Sequence, residues 1–423
     1  MLTNGLSIAK LAVYKLAKHR DSDASLCMTG GVCSHGFPQM LVAQTEQILG
    51  ENAYLLESNA NEVSIAEKFQ AIVDSVRAEY LSDTQGHPWI VGYSGGKDST
   101  LVAHAVFEAL LSIQPSLRTR AVHLVSNDTM VESPLVVAHM RQSQAVIGDA
   151  ARSLKLPITV ATTMPDLEQT FWVNLIGRGY PTPNQNMRWC TDRLKIQPTS
   201  RYILSFVSDG GAAIVVLGVR KDESSTRKAS IDKHINLTNS NLTPHTELAG
   251  AYIYRPISEL ATDDVWEILA TNPPPWGGSH NDLIRLYREA DGGECPIVLS
   301  KQEAPGCGTN SSRFGCWTCT VVEKDKSLQG FVDSGKTTYQ PLIDFRDWLK
   351  SIRNDSTHRQ AFRRNGKLSF DCNGQHIPGP FTLQARQMIL DRLLVVQSQY
   401  GEELIGQEEI QVIRRIWTED LTK

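Results

Sequence analysis

The sequence predicts an α/β fold: a doubly wound, mainly parallel sheet, followed by a cysteine-rich metal-cluster region and a helical C-terminal part. Three observations predict it. The apolar run HPWIVGY (87–93) passes through the glycine-rich turn SGGKDS into the apolar-periodic segment STLVAHAVFEALL. Further apolar runs alternate with helical stretches up to residue 220, the pattern of parallel strands whose faces are covered. Helical spacing then dominates from about residue 328.

Taken in order, residues 1–60 form an N-terminal extension. Its start, MLTNGLSIAKLAVYKLAKHRDS, has the spacing of an amphipathic helix, with lysines scattered through the apolar stretch where a secretory leader would be uninterrupted. A sheet domain is expected over 61–270. A helix at about 62–81 leads into the first strand and its glycine turn; AVHLVS (121–126) is a second strand, 134–154 a helix, PITVAT a third strand and AAIVVLGVR (212–220) another. The polar stretch 221–250 lacks periodicity and is expected to be a mobile loop near the site. Residues 271–330 hold a Pro- and Gly-punctuated segment, a helix near 280–290 and a cysteine block; 331–423 is the helical region.

The 423 residues are 41% hydrophobic and 21% charged, an ordinary globular composition, and no apolar run reaches the roughly 20 residues of a membrane helix. A cytoplasmic protein with no membrane partner is expected. The net charge of −4 speaks against an indiscriminately basic nucleic-acid binder but not against a local patch. Two basic stretches stand out, Arg220–Lys233 and Arg353–Lys367, each readable as a solvated face or as a binding surface.

Chemistry concentrates at strand ends, where a doubly wound sheet gathers ligands. In Ser94-Gly95-Gly96-Lys97-Asp98-Ser99 two glycines let backbone amides approach a pyrophosphate, and the following helix offers its unpaired amides and positive dipole end. It is not a Walker A loop, which needs Gly and Ser or Thr where Val91 and Asp98 stand. After the second strand, Asp128 can meet a nucleoside or a metal, and Glu132 can cap the next helix. After the later strand, Arg220 and Arg227 can reach different phosphate oxygens, with Glu223 orienting one of them. Cys190 lies among Arg188, Arg193 and Lys195, cations that would favour its thiolate, which makes it a candidate sulfur-handling thiol; a small residue buried under Trp189 is the alternative. Cys295, Cys307, Cys316 and Cys319 are four of the eight cysteines; four thiolates can hold either zinc or an iron-sulfur cluster, with unliganded thiols as the third reading.

SGGKDS resembles the PP-loop of the ATP pyrophosphatase superfamily, the adenine nucleotide alpha hydrolase-like fold. With the segments Asp128–Pro134, Arg188–Thr191 and Gly218–Arg227, the chain looks like the phosphoadenosine phosphosulfate reductase branch. PPPWGGSHNDLIRLYREADGGECPIV, SSRFGCWTCTVVEKDKS and IPGPFTLQARQMILDRLL resemble the DndC family, the sulfurtransferases of DNA phosphorothioation. The motifs span about 88–397. The resemblance implies ATP pyrophosphatase activity, a cluster, 4Fe-4S, on Cys295, Cys307, Cys316 and Cys319, and DNA as the substrate whose non-bridging phosphate oxygen is replaced by sulfur. It also implies a cysteine desulfurase as sulfur donor and other phosphorothioation-system proteins as partners.

Mapped onto this sequence, the resemblance has Ser94, Gly95, Gly96, Lys97 and Ser99 holding pyrophosphate and Asp98 positioning Mg2+. Arg220 and Arg227 would hold ATP or the DNA phosphate. Cys190 or a cluster-associated thiol would carry sulfur; at the position of a cluster cysteine in related reductases, Cys190 would instead serve as a ligand, displacing Cys295 or Cys307. Three rivals stay open: a phosphoadenosine phosphosulfate reductase-like oxidoreductase, disfavoured by the absence of a C-terminal Glu-Cys tail, a tRNA thiolation enzyme, and a non-catalytic iron-sulfur protein that binds DNA or acts as a scaffold.

Overall fold

The computed structural model describes residues 63–83, 85–207, 211–238, 241–290 and 314–422. Ser64–Lys423 makes one compact unit. Helix α1 (Ile65–Ser82) starts at a capping box: Ser64 Oγ accepts from Glu67 N, and the Glu67 carboxylate accepts from Ser64 N. Strand β1 (Trp89–Gly92) is buried throughout and feeds α2 (Lys97–Ser112), followed by β2 (Val122–Asn127), α3 (Pro134–Ser153) and β3 (Ile158–Thr163). A π-helix at Val173–Gly177 and another at Thr191–Ile196 precede α4 (Gln197–Val207) and β4 (Ala213–Val216).

The six-stranded sheet has the order β3-β2-β1-β4-β6-β5. Strand β1 pairs parallel with β2 (Val91↔Leu124) and with β4 (Val91↔Val216), and β4 pairs parallel with β6 (Ala251–Tyr254). Only β5 (Leu242–Pro244) runs antiparallel, at the edge, where its proline removes no ladder donor the sheet needs. The period of two is visible in β1. Trp89 and Val91 face one core with α1 and α2, whereas Ile90 faces a second core with Ile203 of α4. The sheet is therefore covered on both faces, as the sequence predicts. The chain reverses its direction of growth between β1 and β4, so the crevice beyond those two strand ends is the switch point where such sheets bind ligands.

Two expectations are corrected. Residues 221–250 are not a loop: a 3-10 turn (Lys221–Glu223), helix α5 (Ser225–Thr238) and β5 occupy most of the stretch. Ser224 Oγ accepts from Arg227 N at the start of α5 and Ile231 is buried, but no apolar stripe runs along this helix, so periodicity had nothing to register. The C-terminal part is also interrupted. After α6 (Thr262–Thr271), α7 (Asn281–Ala290), α8 (Lys326–Asp333) and α9 (Gln340–Ile352), an arm intervenes before α10 (Leu383–Tyr400) and α11 (Gln407–Leu421). The arm is a pair of antiparallel segments with bridges Arg359↔Phe381 and Phe370↔His376. The last helices pack on the first π-helix: Trp172 Nε1 donates to Leu404 O (2.7 Å) and Trp417 Nε1 to Ile176 O (2.9 Å).

Candidate active site

The turn after β1 is built for close approach. Gly95 has φ +74°, and a Cβ there would lie 3.2 Å from Met140 Cβ, so both conformation and space demand glycine. Gly96 caps α2 with its backbone alone. Ser94 and Ser99 clip the turn shut: their hydroxyls lie 3.1 Å apart, Ser94 N donates to Ser99 Oγ (3.2 Å), and Ser99 Oγ also lies 3.0 Å from Gly96 O. The first amide of α2, Lys97 N, donates to Tyr287 Oη at 3.2 Å, and Lys97 Nζ lies 5.8 Å from the centre of the Tyr287 ring. Tyr287, to which the sequence reading gives no role, thus meets the helix end where an anion would be received. Its only sequence signal is the apolar spacing of Leu283, Leu286 and Tyr287 on α7.

Beneath the turn lies a buried ionic network. Asp98, 2% exposed, accepts from Lys97 Nζ (2.9 Å) and from Arg220 Nε. Arg220, 1% exposed, also donates through Nη1 to Leu260 O (3.2 Å) and Asp222 (3.3 Å), and through Nη2 to Thr262 Oγ1 (3.1 Å). Glu223 bridges the two arginines: Oε1 accepts from Arg220 N (2.8 Å) and Oε2 pairs with Arg227. Glu223, expected to orient one of the two arginines, thus contacts both. Arg220 meets the turn through Asp98, fixing the carboxylate that stands beside Lys97. Gly218, just after β4, explains how the strand comes so near: a Cβ there would lie 2.8 Å from the carbonyl carbon and oxygen of Asp98. Behind α2, His104 and His280 face each other at 3.3 Å; burial, joined at His104 by the neighbouring His280, pushes them down to about 3 and about 4, so this wall is neutral.

The loop after β2 leads to the cysteines. Asp128 accepts from Met130 N (2.8 Å), holding Met130 at φ +63°, and from Arg141 Nη2 (2.8 Å). The capping role expected for Glu132 is not found: Ser133 takes the N-cap position of α3, and Glu132 pairs with Lys195 Nζ at 3.0 Å. Glu132 also forms an antiparallel bridge with Cys316, flanked by Ser133 N→Gly315 O (3.1 Å) and Trp317 N→Val131 O (3.0 Å). Thr129 Oγ1 lies 3.5 Å from Cys316 Sγ, and Cys319 N donates to Cys316 O (2.9 Å), so the two cysteines share one tight turn.

Half-buried Cys190 precedes the π-helix that carries Lys195, with Trp189 stacked on Phe171 (5.4 Å). Glu132 therefore ties the Cys190 helix to the Cys316 segment. Of the cations flanking Cys190, Lys195 pairs with Glu132, and Arg193 donates to Gln169 and Tyr180. Cys295 and Cys307 lie outside the described residues. Among the described residues no group of three or more His, Cys, Asp or Glu side chains is gathered for a metal ion.

No protein-family model and no curated protein matches the chain. Among solved structures it is similar to Candida glabrata FMN adenylyltransferase in complex with FAD and inorganic pyrophosphate, at 12% identity and a TM-score of 0.32, over 56% of this chain and 66% of that one. The same enzyme with FMN and the ATP analogue AMPCPP matches at 12% identity and a TM-score of 0.31 over the same shares. At that similarity the match carries no inference for this chain; the fold stands on its own as a mixed α/β protein with a mainly parallel sheet.

Proposed function

We propose that this protein is an ATP pyrophosphatase of the PP-loop type that serves DNA phosphorothioation. The observation that carries the reading is the glycine turn at the β1–β4 switch point, set directly over the Lys97–Asp98–Arg220 network. In this reading ATP lies with its β- and γ-phosphates against the turn and the N-terminus of α2, received by Gly95, Gly96 and Lys97 N–H groups. Ser94 and Ser99 exchange their mutual hydrogen bond for phosphate oxygens, and Tyr287 Oη turns from Lys97 N to the anion.

Asp98 would help position Mg2+, whose charge would favour departure of pyrophosphate, as Lys97 Nζ moves from its carboxylate to the phosphates. A non-bridging oxygen of a DNA phosphate attacks the α-phosphorus, the α–β bond breaks, and pyrophosphate leaves. The DNA phosphate then carries AMP on the oxygen to be replaced, which converts a poor leaving group into a good one.

Cys190 and the Cys316–Cys319 turn, joined through Glu132, form the sulfur-handling side of the site. Cys316 and Cys319, with Cys295 and Cys307, are the ligands the DndC resemblance implies for an iron-sulfur cluster. The sulfur itself would come from a cysteine desulfurase, with other phosphorothioation-system proteins as partners.

The test is pyrophosphate release from ATP in the presence of DNA, followed by nuclease digestion and mass spectrometry for phosphorothioate-linked dinucleotides. Lys97→Ala is expected to lower pyrophosphate release by about 100-fold or more, the scale of removing a preorganised charge at a transition state. Phosphorothioate formed at the wild-type rate by that variant would refute catalysis through the turn.

A further inference from the structure

We propose that the groove between Tyr180–Trp189 and the arm of residues 359–381 binds a single nucleic-acid strand. The groove has a volume of about 640 Å³ and is walled by Tyr180, Trp189, Arg363, Arg364 and Lys367, with no aspartate or glutamate among its lining residues. Its positive charge survives folding because the arginines beneath it are held by neutral groups. Arg359 donates to Gly379 O (2.7 Å from Nε), Pro378 O (3.1 Å) and Arg353 O, and Arg353 donates to Pro183 O (3.1 Å) and Thr320 O (3.0 Å). Carbonyls hold these N–H groups without cancelling the charge of Arg359, while Arg353 also feels the Glu323 carboxylate. Arg363 Nε is buried with no hydrogen-bond partner, so no carboxylate holds that edge of its guanidinium. The crowding is felt at Arg359, where burial and then the neighbouring Arg363 and Arg353 push the guanidinium down to about 10. A polyanion would relieve it.

Aromatic rings interleave with these cations. Arg364 lies over Tyr180 at 5.7 Å. Tyr180 and Trp189 are the rings that line the groove itself; Phe362 and Phe370, outside that lining but on the same arm, are 54% and 56% exposed, and Leu368, which does line it, is 50% exposed. Exposed rings among cations are stacking platforms for unpaired bases, while the cations track the backbone; in a duplex the base faces are hidden from such rings. This choice of a single strand over a duplex or an acidic protein segment follows from the rings. The location deepens the proposed function and, for the identity of the strand as substrate DNA, rests on it: Trp189 lines the groove and Cys190 is the next residue, so a bound strand runs beside the sulfur-handling side of the site.

The test is fluorescence anisotropy of a labelled oligothymidylate with the full chain, without ATP, over a salt series. Combined Arg363→Ala, Arg364→Ala and Lys367→Ala substitutions are expected to weaken binding at least about tenfold and to reduce the slope of log affinity against log salt by about 2, near 0.7 for each lost phosphate contact. Phe362→Ala with Phe370→Ala should weaken binding by about tenfold and leave the slope unchanged, because stacking releases no counterions. Far-UV circular dichroism and melting confirm that both variants fold; Phe362, Arg364, Lys367 and Phe370 are exposed and Arg363 is half-buried.

Unchanged affinity and slope in the cationic variant would overturn the proposal. So would equal binding of a duplex of the same length, or competition by polyglutamate as effective as that of unlabelled oligothymidylate. Strand binding without any phosphorothioate product would refute the proposed function alone, whereas product formation with strand binding unaffected by the substitutions would refute the groove alone.

Discussion

Arg220–Lys233 and Arg353–Lys367 look alike in sequence, and folding treats them in opposite ways. In the first stretch each arginine or lysine whose ion pairs are described meets carboxylates: Arg220 meets Asp98 and Asp222, Lys221 meets Asp232 and Glu259, and Arg227 meets Glu223. In the second, Arg353 and Arg359 are held by backbone carbonyls, and Arg363, Arg364 and Lys367 stand at the groove they support. The difference teaches that a basic stretch is defined by what satisfies it. Carboxylates cancel charge and make a scaffold, whereas carbonyls fix geometry and leave the field for a ligand.

The comparison breaks most visibly at Asp98. Asp98→Ala would leave Lys97 and Arg220 buried without their shared counter-ion, at an expected cost of about 3–5 kcal/mol read by urea unfolding. A loss below about 1 kcal/mol would mean that the first stretch is not held by charge cancellation. Next in size is Arg359→Leu, which strips donors from the carbonyls of Gly379, Pro378 and Arg353. Unsatisfied buried carbonyls put the expected loss at about 2 kcal/mol. Arg359→Lys should recover only part of it, because one ammonium cannot span the carbonyls that the planar fork reaches. Full recovery by lysine would show that charge, not geometry, holds the arm. Smallest is Lys221→Ala, whose partners Asp232 and Glu259 are 41% and 68% exposed. An exposed pair of this kind contributes under about 1 kcal/mol, so thermal melting should barely move; a drop as large as that at Asp98 would erase the distinction between core and rim within the first stretch.

These destinations mark the limit of what the sequence makes legible. The glycine turn, the strands around it and their covered faces are readable because each rests on local pattern: a period of two, a positive-φ glycine, a helix starting at the next residue. Helix α5 is not, since a helix lacking an apolar stripe gives periodicity nothing to detect. The partners of charged groups are also hidden, because they cross the chain. Arg220 finds Asp98 over 122 residues, and Lys97 N finds Tyr287 over 190. Glu132 shows the same limit from the other side: local spacing favours a helix cap, and tertiary contact with Lys195 wins. The cysteine turn and the Cys190 segment are each visible as words, yet the carboxylate that ties them together is seen only once the chain is folded.

The backbone pairing of Val131–Ser133 with Gly315–Trp317 has a consequence in time. Thr129 and Cys316, neighbours in the fold, are 187 residues apart, so during synthesis the first waits for the second for roughly ten to forty seconds. The parallel sheet can be assembled by then, and the cysteine turn arrives as a late clasp on its carboxyl edge. A nascent or truncated chain ending before residue 314 keeps Val131 O and Ser133 N without those partners. Those two backbone groups are then left to water or to another chain. Quality control of this protein would therefore turn on whether that clasp has closed.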